Sequence, residues 1–129
     1  MDNKTIDKKF DNEITIEELK QQIRVFCEAR EWDQFHNPKD LAIGISTEAN
    51  ELLDIFRFKT DEKMKELFRD EKTKEHIGEE IADTLFFLLR FAQINDLDLN
   101  HCLQDKLKKN DKKYSVERSK GNNLKHTER

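Results

Sequence analysis

Two short stretches, Glu48-Ala-Asn-Glu51 and Glu80-Ile-Ala-Asp83, each place two acidic residues three positions apart within an apolar segment. Residues at this spacing lie on one face of an α-helix, so each stretch predicts a helix with two carboxylates that project in nearly the same direction. Carboxylates in an apolar helix are costly to bury unless cations or protons neutralise them. We therefore expect the carboxylates of the two helices to share one acidic site.

The spacing of these acidic residues is not sufficient to identify a metal site. Glu28 and Glu31 show the same spacing, but Arg30 lies between them, which is typical of a solvated helix face. The two stretches above are flanked by Leu, Ile and Ala instead. On the residues alone, metal binding and buried ion pairs with Lys or Arg are both open for these carboxylates.

The expected ligands of the acidic site are oxygen atoms only, which favours magnesium, with manganese as the alternative, over iron or zinc. A helical di-iron site would require a glutamate three residues before a histidine, twice. No histidine of this chain has a glutamate at that position; the four are His36, His76, His101 and His126. The pattern therefore favours a magnesium-dependent reaction on a phosphate compound.

The composition indicates a small helical protein. The chain has 129 residues, of which 40% are charged and 35% hydrophobic, and it contains only three glycines and one proline. Sandwiches and barrels need more turn residues than this. No apolar run is long enough for a membrane span, and the first ten residues lack a signal-peptide core, so we expect a cytoplasmic protein. Cys27 and Cys102 are expected to be buried thiols without a disulfide.

The charge distribution is uneven along the chain. Residues 104–129 contain nine basic and four acidic residues, although the whole chain has a net charge of −4. Such a segment suits a triphosphate or an acidic protein surface. Nucleic acid is the disfavoured partner, because acidic residues interrupt the basic ones and Tyr114 is the single aromatic in this segment.

Start signals and apolar spacing predict the first two helices. Thr15-Ile-Glu-Glu18 is a capping box, and the helix after it should end near residue 31 or 32. Asn37-Pro38 marks a second start, for a helix that runs to about Phe56. The expected core stripe of the first helix is Ile16, Leu19, Ile23 and Phe26.

The second half of the chain predicts a short helix around Met64, a long one from about Lys72 to Asn95, and a last one that ends near Tyr114. The fold class is therefore all-α. We expect a flexible N-terminus over residues 1–13, a helical domain over 14–114 and a basic tail over 115–129. The second helix is apolar on more than one face, which predicts self-association into a homo-oligomer.

Five stretches that cover most of residues 15–125 carry a family resemblance. They are Arg-Glu-Trp-Asp-Gln-Phe-His (30–36), Glu-Ala-Asn-Glu-Leu-Leu (48–53), Phe-Arg-Phe-Lys-Thr-Asp (56–61), Glu-Glu-Ile-Ala-Asp (79–83) and Lys106, Asn110 and Lys113-Tyr114. With them the chain resembles the all-α nucleoside triphosphate pyrophosphohydrolases of the MazG-like superfamily. Its dCTP-pyrophosphatase-like branch is the most similar, because the Trp-x-Gln-Phe-His block is more specific than the acidic pairs.

The resemblance implies subunits that pair to complete a four-helix bundle, as a dimer or a tetramer. It also implies magnesium-dependent hydrolysis of a nucleoside triphosphate to the monophosphate and pyrophosphate. By position, the metal-binding and catalytic residues would be Glu48, Glu51, Glu80 and Asp83. The substrate-binding residues would be Trp32, Asp33, Gln34, Phe35, His36, Phe58, Phe87, Lys106, Asn110 and Lys113.

The chain departs from the pattern of the branch at several positions. Phe58 stands where Trp is frequent, Phe87 where Tyr is common, and Lys108 and Lys109 replace an acidic residue. These changes leave the preferred base open, with dCTP or a modified pyrimidine nucleotide as the candidate. The alternatives are a related enzyme for another phosphate compound and a non-catalytic helical interaction module.

Overall fold

The computed structural model describes residues 8–124, and these residues form helices and loops without a β-strand, which confirms the predicted all-α class. Short 3₁₀ turns at Asp11–Glu13 and Asp33–Phe35 precede the first and second helices. The helices are α1 (Ile16–Ala29), α2 (Pro38–Phe56), α3 (Asp61–Arg69), α4 (Glu71–Ile94), α5 (Leu99–Lys113) and α6 (Val116–Ser119).

The chain divides after Asp96 into two compact units. In the first unit α4 is central: α2 packs along it most extensively, and α1 and α3 also contact it. The second unit contains α5 and α6. The buried apolar side chains all belong to α1, α2 and α4, and they are Cys27, Leu41, Ile77, Leu89 and Ala92.

Both predicted start signals are present in the structure. The Thr15 hydroxyl accepts a hydrogen bond from the Glu18 amide at 3.1 Å, and α1 begins at the next residue. The Asn37 side chain accepts one from the Asp40 amide at 2.8 Å, with proline at the first position of α2. These side chains satisfy backbone donors that no helical carbonyl can reach.

The end of α1 differs from the prediction. The first helix ends at Ala29, two residues early, because Glu31 adopts a left-handed conformation with φ 54° that cannot continue a helix. The predicted tail contains α6, although it shows no core pattern. The other helices begin and end within one or two residues of their predicted limits.

Two burial predictions are wrong. Ile16 is exposed, since it lies at the first position of α1, whereas the other members of its stripe are half-buried. Cys102 is exposed on α5, whereas Cys27 is fully buried as predicted. Both thiols are free, in agreement with the prediction of no disulfide.

Within residues 8–124, no helix combines the length and the apolar composition that a bilayer crossing requires.

Gly44 permits the close approach of α2 and α4. A Cβ atom at this position would lie 2.7 Å from the Phe87 ring, whereas a Cβ at Gly78 would meet nothing within 4 Å. We expect Gly44→Ala to lower the free energy of unfolding by about 1–3 kcal/mol, because the half-buried ring must move. Gly78→Ala is the matched control and should stabilise the protein by about 0.5–1 kcal/mol. Urea unfolding of both variants measures these changes. Equal changes in the free energy of unfolding would contradict the prediction.

Candidate active site

Helices α2 and α4 bring the four predicted carboxyl groups together. Glu48, Glu80 and Asp83 each offer an oxygen atom, and these atoms lie within 4.8 Å of one another. The Glu51 carboxyl lies beside Glu48 and Glu80 and contributes to the raised pKa of both groups. The two helices therefore place four acidic side chains in one site.

The pKa values of this acidic site reflect burial and mutual repulsion. Burial, followed by the negative charge of Glu51, raises the pKa of Glu48 from 4.5 to about 7. The pKa of Glu80 is also raised, first by burial and then by the adjacent Glu51 carboxyl. Both shifts mean that the folded protein disfavours the fully ionised cluster unless a cation is present.

The acidic site fits a divalent cation. The Oε2 atoms of Glu48 and Glu80 are buried, and neither has a hydrogen-bond partner among the described residues. The ion pair with Lys or Arg that the sequence left open is therefore not observed at these two atoms. Buried carboxylate oxygens without partners are costly, and a hard cation supplies the missing interaction.

An open cavity of about 370 Å³ adjoins the acidic site. His76 lies beside it, with Nδ1 3.9 Å from Glu80 Oε1. Three of the residues that line the cavity have no predicted role in the site: Asp54, Ile55 and His76. The complete lining is Glu51, Asp54, Ile55, His76 and Glu80. The position of His76 one helical turn before Glu80 was the available signal, because residues four apart share a face.

The loop between α1 and α2 carries the Trp-Asp-Gln-Phe-His block, and Arg90 of α4 forms hydrogen bonds with two residues of this block. Arg90 is only 1% exposed. Its NH2 group donates to Asp33 Oδ1, and its Nε–H donates to His36 Nδ1 at 2.9 Å. Arg90 is not among the predicted site residues, although a charged residue in the apolar run Leu88-Leu89-Arg90-Phe91-Ala92 is a usable signal.

Trp32 and His36 of this loop form an aromatic cluster with Phe26 of α1. The Trp32 ring packs edge-to-face against Phe26 at 5.7 Å and against His36 at 5.9 Å between centroids. Trp32 is 36% exposed and Phe35 is 60% exposed, so the loop presents aromatic surface to solvent. The Gln34 side chain donates to the Glu31 carbonyl oxygen at 3.0 Å. The predicted contacts of this loop with a base stay predictions.

Phe58 and Phe87 occupy different environments. Phe58 has a left-handed backbone, with φ 63°, and is 95% exposed, with the Arg57 guanidinium 5.0 Å from its ring centroid. Phe87 is half-buried and packs edge-on against Phe86 at 5.4 Å. The helix that contains Phe87 also carries Glu80 and Asp83.

The remaining predicted substrate contacts lie on α5, in the second unit. Lys106 and Lys113 are exposed, and Asn110 is half-buried. The Asn110 carbonyl oxygen accepts a hydrogen bond from the Tyr114 amide at 2.7 Å, where α5 ends. Their phosphate-binding role stays a prediction.

Comparison with known proteins identifies several that are similar to this chain. The chain is 29% identical to dCTP pyrophosphatase 1 of Bos taurus over 119 residues, which is 92% of this chain and 70% of the relative. The Homo sapiens protein of the same name is 28% identical over 119 residues, with the same coverage. A crystal structure of a pyrophosphatase from Archaeoglobus fulgidus is 33% identical, with a TM-score of 0.72, and the match covers 86% of this chain and 99% of that one.

The sequence model of the MazG-like family matches residues 43–128, a range that begins in α2 and includes both acidic stretches. This range is more than half of the chain, and the relatives extend the similarity to most of the remainder. The chain therefore belongs to the MazG-like family.

Proposed function

We propose that this protein is a nucleoside triphosphate pyrophosphohydrolase, which converts its substrate to the monophosphate and pyrophosphate. The observation that carries the proposal is the cluster of carboxyl groups from α2 and α4, with buried oxygens that lack partners. The names of the relatives, dCTP pyrophosphatase 1 and a pyrophosphatase, support the same reaction. dCTP or a modified pyrimidine nucleotide is the proposed substrate, and removal of such nucleotides from the cellular pool is the proposed task.

Magnesium is the proposed cofactor, with manganese as the alternative. When bound, such an ion neutralises charge on the phosphate oxygens and lowers the pKa of water. Glu48, Glu80 and Asp83 would hold it, because their oxygens converge. Glu51 lies beside two of these ligands and would orient the attacking water. A carboxylate in this position can accept a proton from that water as the water oxygen bonds to the α-phosphorus and the bond to the pyrophosphate leaving group breaks.

Aromatic, basic and amide side chains are the proposed substrate contacts. Trp32 and Phe35 offer exposed aromatic faces that stack on a base, with Phe58 as a further candidate. Lys106 and Lys113 carry the charge that suits phosphate oxygens, and Asn110 would assist them. A cytoplasmic location, where nucleoside triphosphates are made, fits this reaction.

A homo-oligomer, either a dimer or a tetramer, is the proposed assembly. Several large apolar side chains of α2 and α4 are at least 43% exposed in the single chain, and burial between subunits would stabilise them. They are Ile43, Leu53, Ile81, Leu85 and Leu88. Light scattering of the purified protein measures the subunit number directly.

We expect magnesium binding near neutral pH to release protons. The raised pKa of Glu48, about 7, means that this group is partly protonated at pH 7 and must ionise to bind a cation. Calorimetric titration in two buffers with different ionisation enthalpies measures the release, which should diminish at pH 8.5. The Glu48→Gln variant should release fewer protons than the parent. A heat that is independent of the buffer would contradict this prediction.

The decisive assay incubates the purified protein with canonical and modified nucleoside triphosphates, with and without magnesium, and separates the products by chromatography. Monophosphate and pyrophosphate formed only with magnesium would support the proposal and rank the bases. Release of inorganic phosphate alone would contradict it. No turnover, together with no thermal shift from magnesium, would favour the interaction module.

A further inference from the structure

Arg90 is a buried cation outside the acidic site. It lies on α4, seven residues after Asp83, so the two side chains share nearly the same face about 10 Å apart along the helix axis. Only 1% of Arg90 is exposed, and a buried guanidinium is costly unless its donors are satisfied. Apolar packing alone therefore does not explain a buried positive charge at position 90.

Every nitrogen of the Arg90 guanidinium donates a hydrogen bond. NH1 donates to Gln93 Oε1 at 2.6 Å, within α4. NH2 donates to the Asp33 carboxylate, and Nε donates to His36 Nδ1 at 2.9 Å. Two of these three bonds reach the α1–α2 loop, 54 and 57 residues away along the chain. Arg90 thus connects the loop to the helix that carries Glu80 and Asp83.

The contact with Arg90 determines which nitrogen of His36 carries a proton. A guanidinium has donors but no acceptor, so His36 Nδ1 must be unprotonated to receive the bond. The proton of the neutral ring is then on Nε2. Burial, followed by the positive charge of Arg90, lowers the pKa of His36 from 6.5, while Asp33 opposes the shift. His36 is accordingly a neutral ring with a single N–H donor.

We propose that Arg90 is a positioning residue for nucleotide recognition: it holds the Trp32–His36 loop on α4 and fixes His36 as a donor through Nε2–H. This deepens the proposed function and rests on it. Trp32 and Phe35 offer aromatic surface beside this donor, so the loop combines a stacking face with one polar group of fixed direction. A donor here favours a base edge that presents an acceptor, such as a pyrimidine carbonyl oxygen or an unprotonated ring nitrogen.

A purely structural role is the competing explanation for Arg90. The ion pair with Asp33 would by itself hold the loop on α4. The tautomer of His36 would then not affect substrate binding. The two explanations differ in what they require of His36. If Arg90 positions the loop for nucleotide recognition, His36 must donate through Nε2–H. If the role of Arg90 is purely structural, only the ion pair between Arg90 and Asp33 is required.

The first test is the tautomer of His36, read by long-range ¹H–¹⁵N NMR on the full chain without nucleotide. His36→Gln identifies its signals among the four histidines. We expect Nε2–H with unprotonated Nδ1 in the parent between pH 7 and 8. In Arg90→Met the ring should become a mixture of tautomers, with a pKa closer to 6.5. A mixed or Nδ1–H ring in the parent would overturn the proposal.

The second test uses variants of His36, which keep Arg90 and its ion pair intact. A glutamine can accept from Arg90 through its oxygen and donate through its nitrogen, so His36→Gln should keep KM for the best substrate within about threefold. His36→Met removes the donor and should raise KM about tenfold, with a smaller change in kcat. Equal KM values for the two variants would overturn the proposal, even where Arg90→Met fails to fold.

The matched control for Arg90→Met is Arg24→Met, because Arg24 makes an exposed ion pair with Glu28 at 2.8 Å. Its KM and the His36 signals should remain those of the parent. A parent protein without turnover would refute the proposed function itself. A parent with turnover whose Arg90→Met variant keeps the same KM would overturn only the positioning role.

Discussion

Replacing Glu80 with glutamine should lower kcat by at least about 100-fold, since changing residues that merely support a metal site costs 10–100-fold. The amide keeps the size of the side chain but removes the negative charge that a divalent cation requires. Glu80 is 8% exposed, so solvent cannot replace the lost ligand. Steady-state kinetics with magnesium and the best substrate measures the effect.

The fold should survive the Glu80→Gln substitution, because it removes one carboxyl from a group of mutually repelling carboxyls. Circular dichroism should show unchanged helical content, and the thermal shift caused by magnesium should be lost. Glu28→Gln is the matched control: Glu28 belongs to an acidic pair of the same spacing but makes only an exposed ion pair. Its kcat should stay within twofold, and retained activity in Glu80→Gln would refute the assignment.

Replacing Leu41 with alanine should lower the free energy of unfolding by about 2–5 kcal/mol. Leu41 lies near the start of α2 and is 1% exposed, and it belongs to the small core that holds α2 against α4. Alanine would leave a cavity that neighbouring side chains only partly fill. Urea unfolding, followed by circular dichroism without magnesium, measures the loss.

The same substitution at an exposed leucine is the control for Leu41. Leu103 lies on α5 and is 57% exposed, so Leu103→Ala should change the free energy of unfolding by no more than about 0.5 kcal/mol. Because Leu41 supports the helix that carries Glu48, the Leu41 variant should also bind magnesium more weakly near its unfolding midpoint. Equal stability losses in the two variants would contradict the burial of Leu41.

Local signals explain why most of the fold was predictable. Thr15 and Asn37 cap their helices through bonds to amides three residues on, and contacts of this range are encoded in adjacent sequence. The early end of α1 was missed because Glu31, a non-glycine residue, adopts a left-handed conformation that no local pattern indicates.

The sequence alone predicts the helical class, the helix starts and the common face of each acidic pair, because all three depend on residues three or four apart. The tertiary structure brings Glu48, Glu80 and Asp83 of α2 and α4 within reach of one cation. It also decided that Arg90 joins residues 54 and 57 positions away and that Gly44 admits the Phe87 ring. Such contacts depend on how whole helices pack, and the spacing of residues along one helix does not specify them.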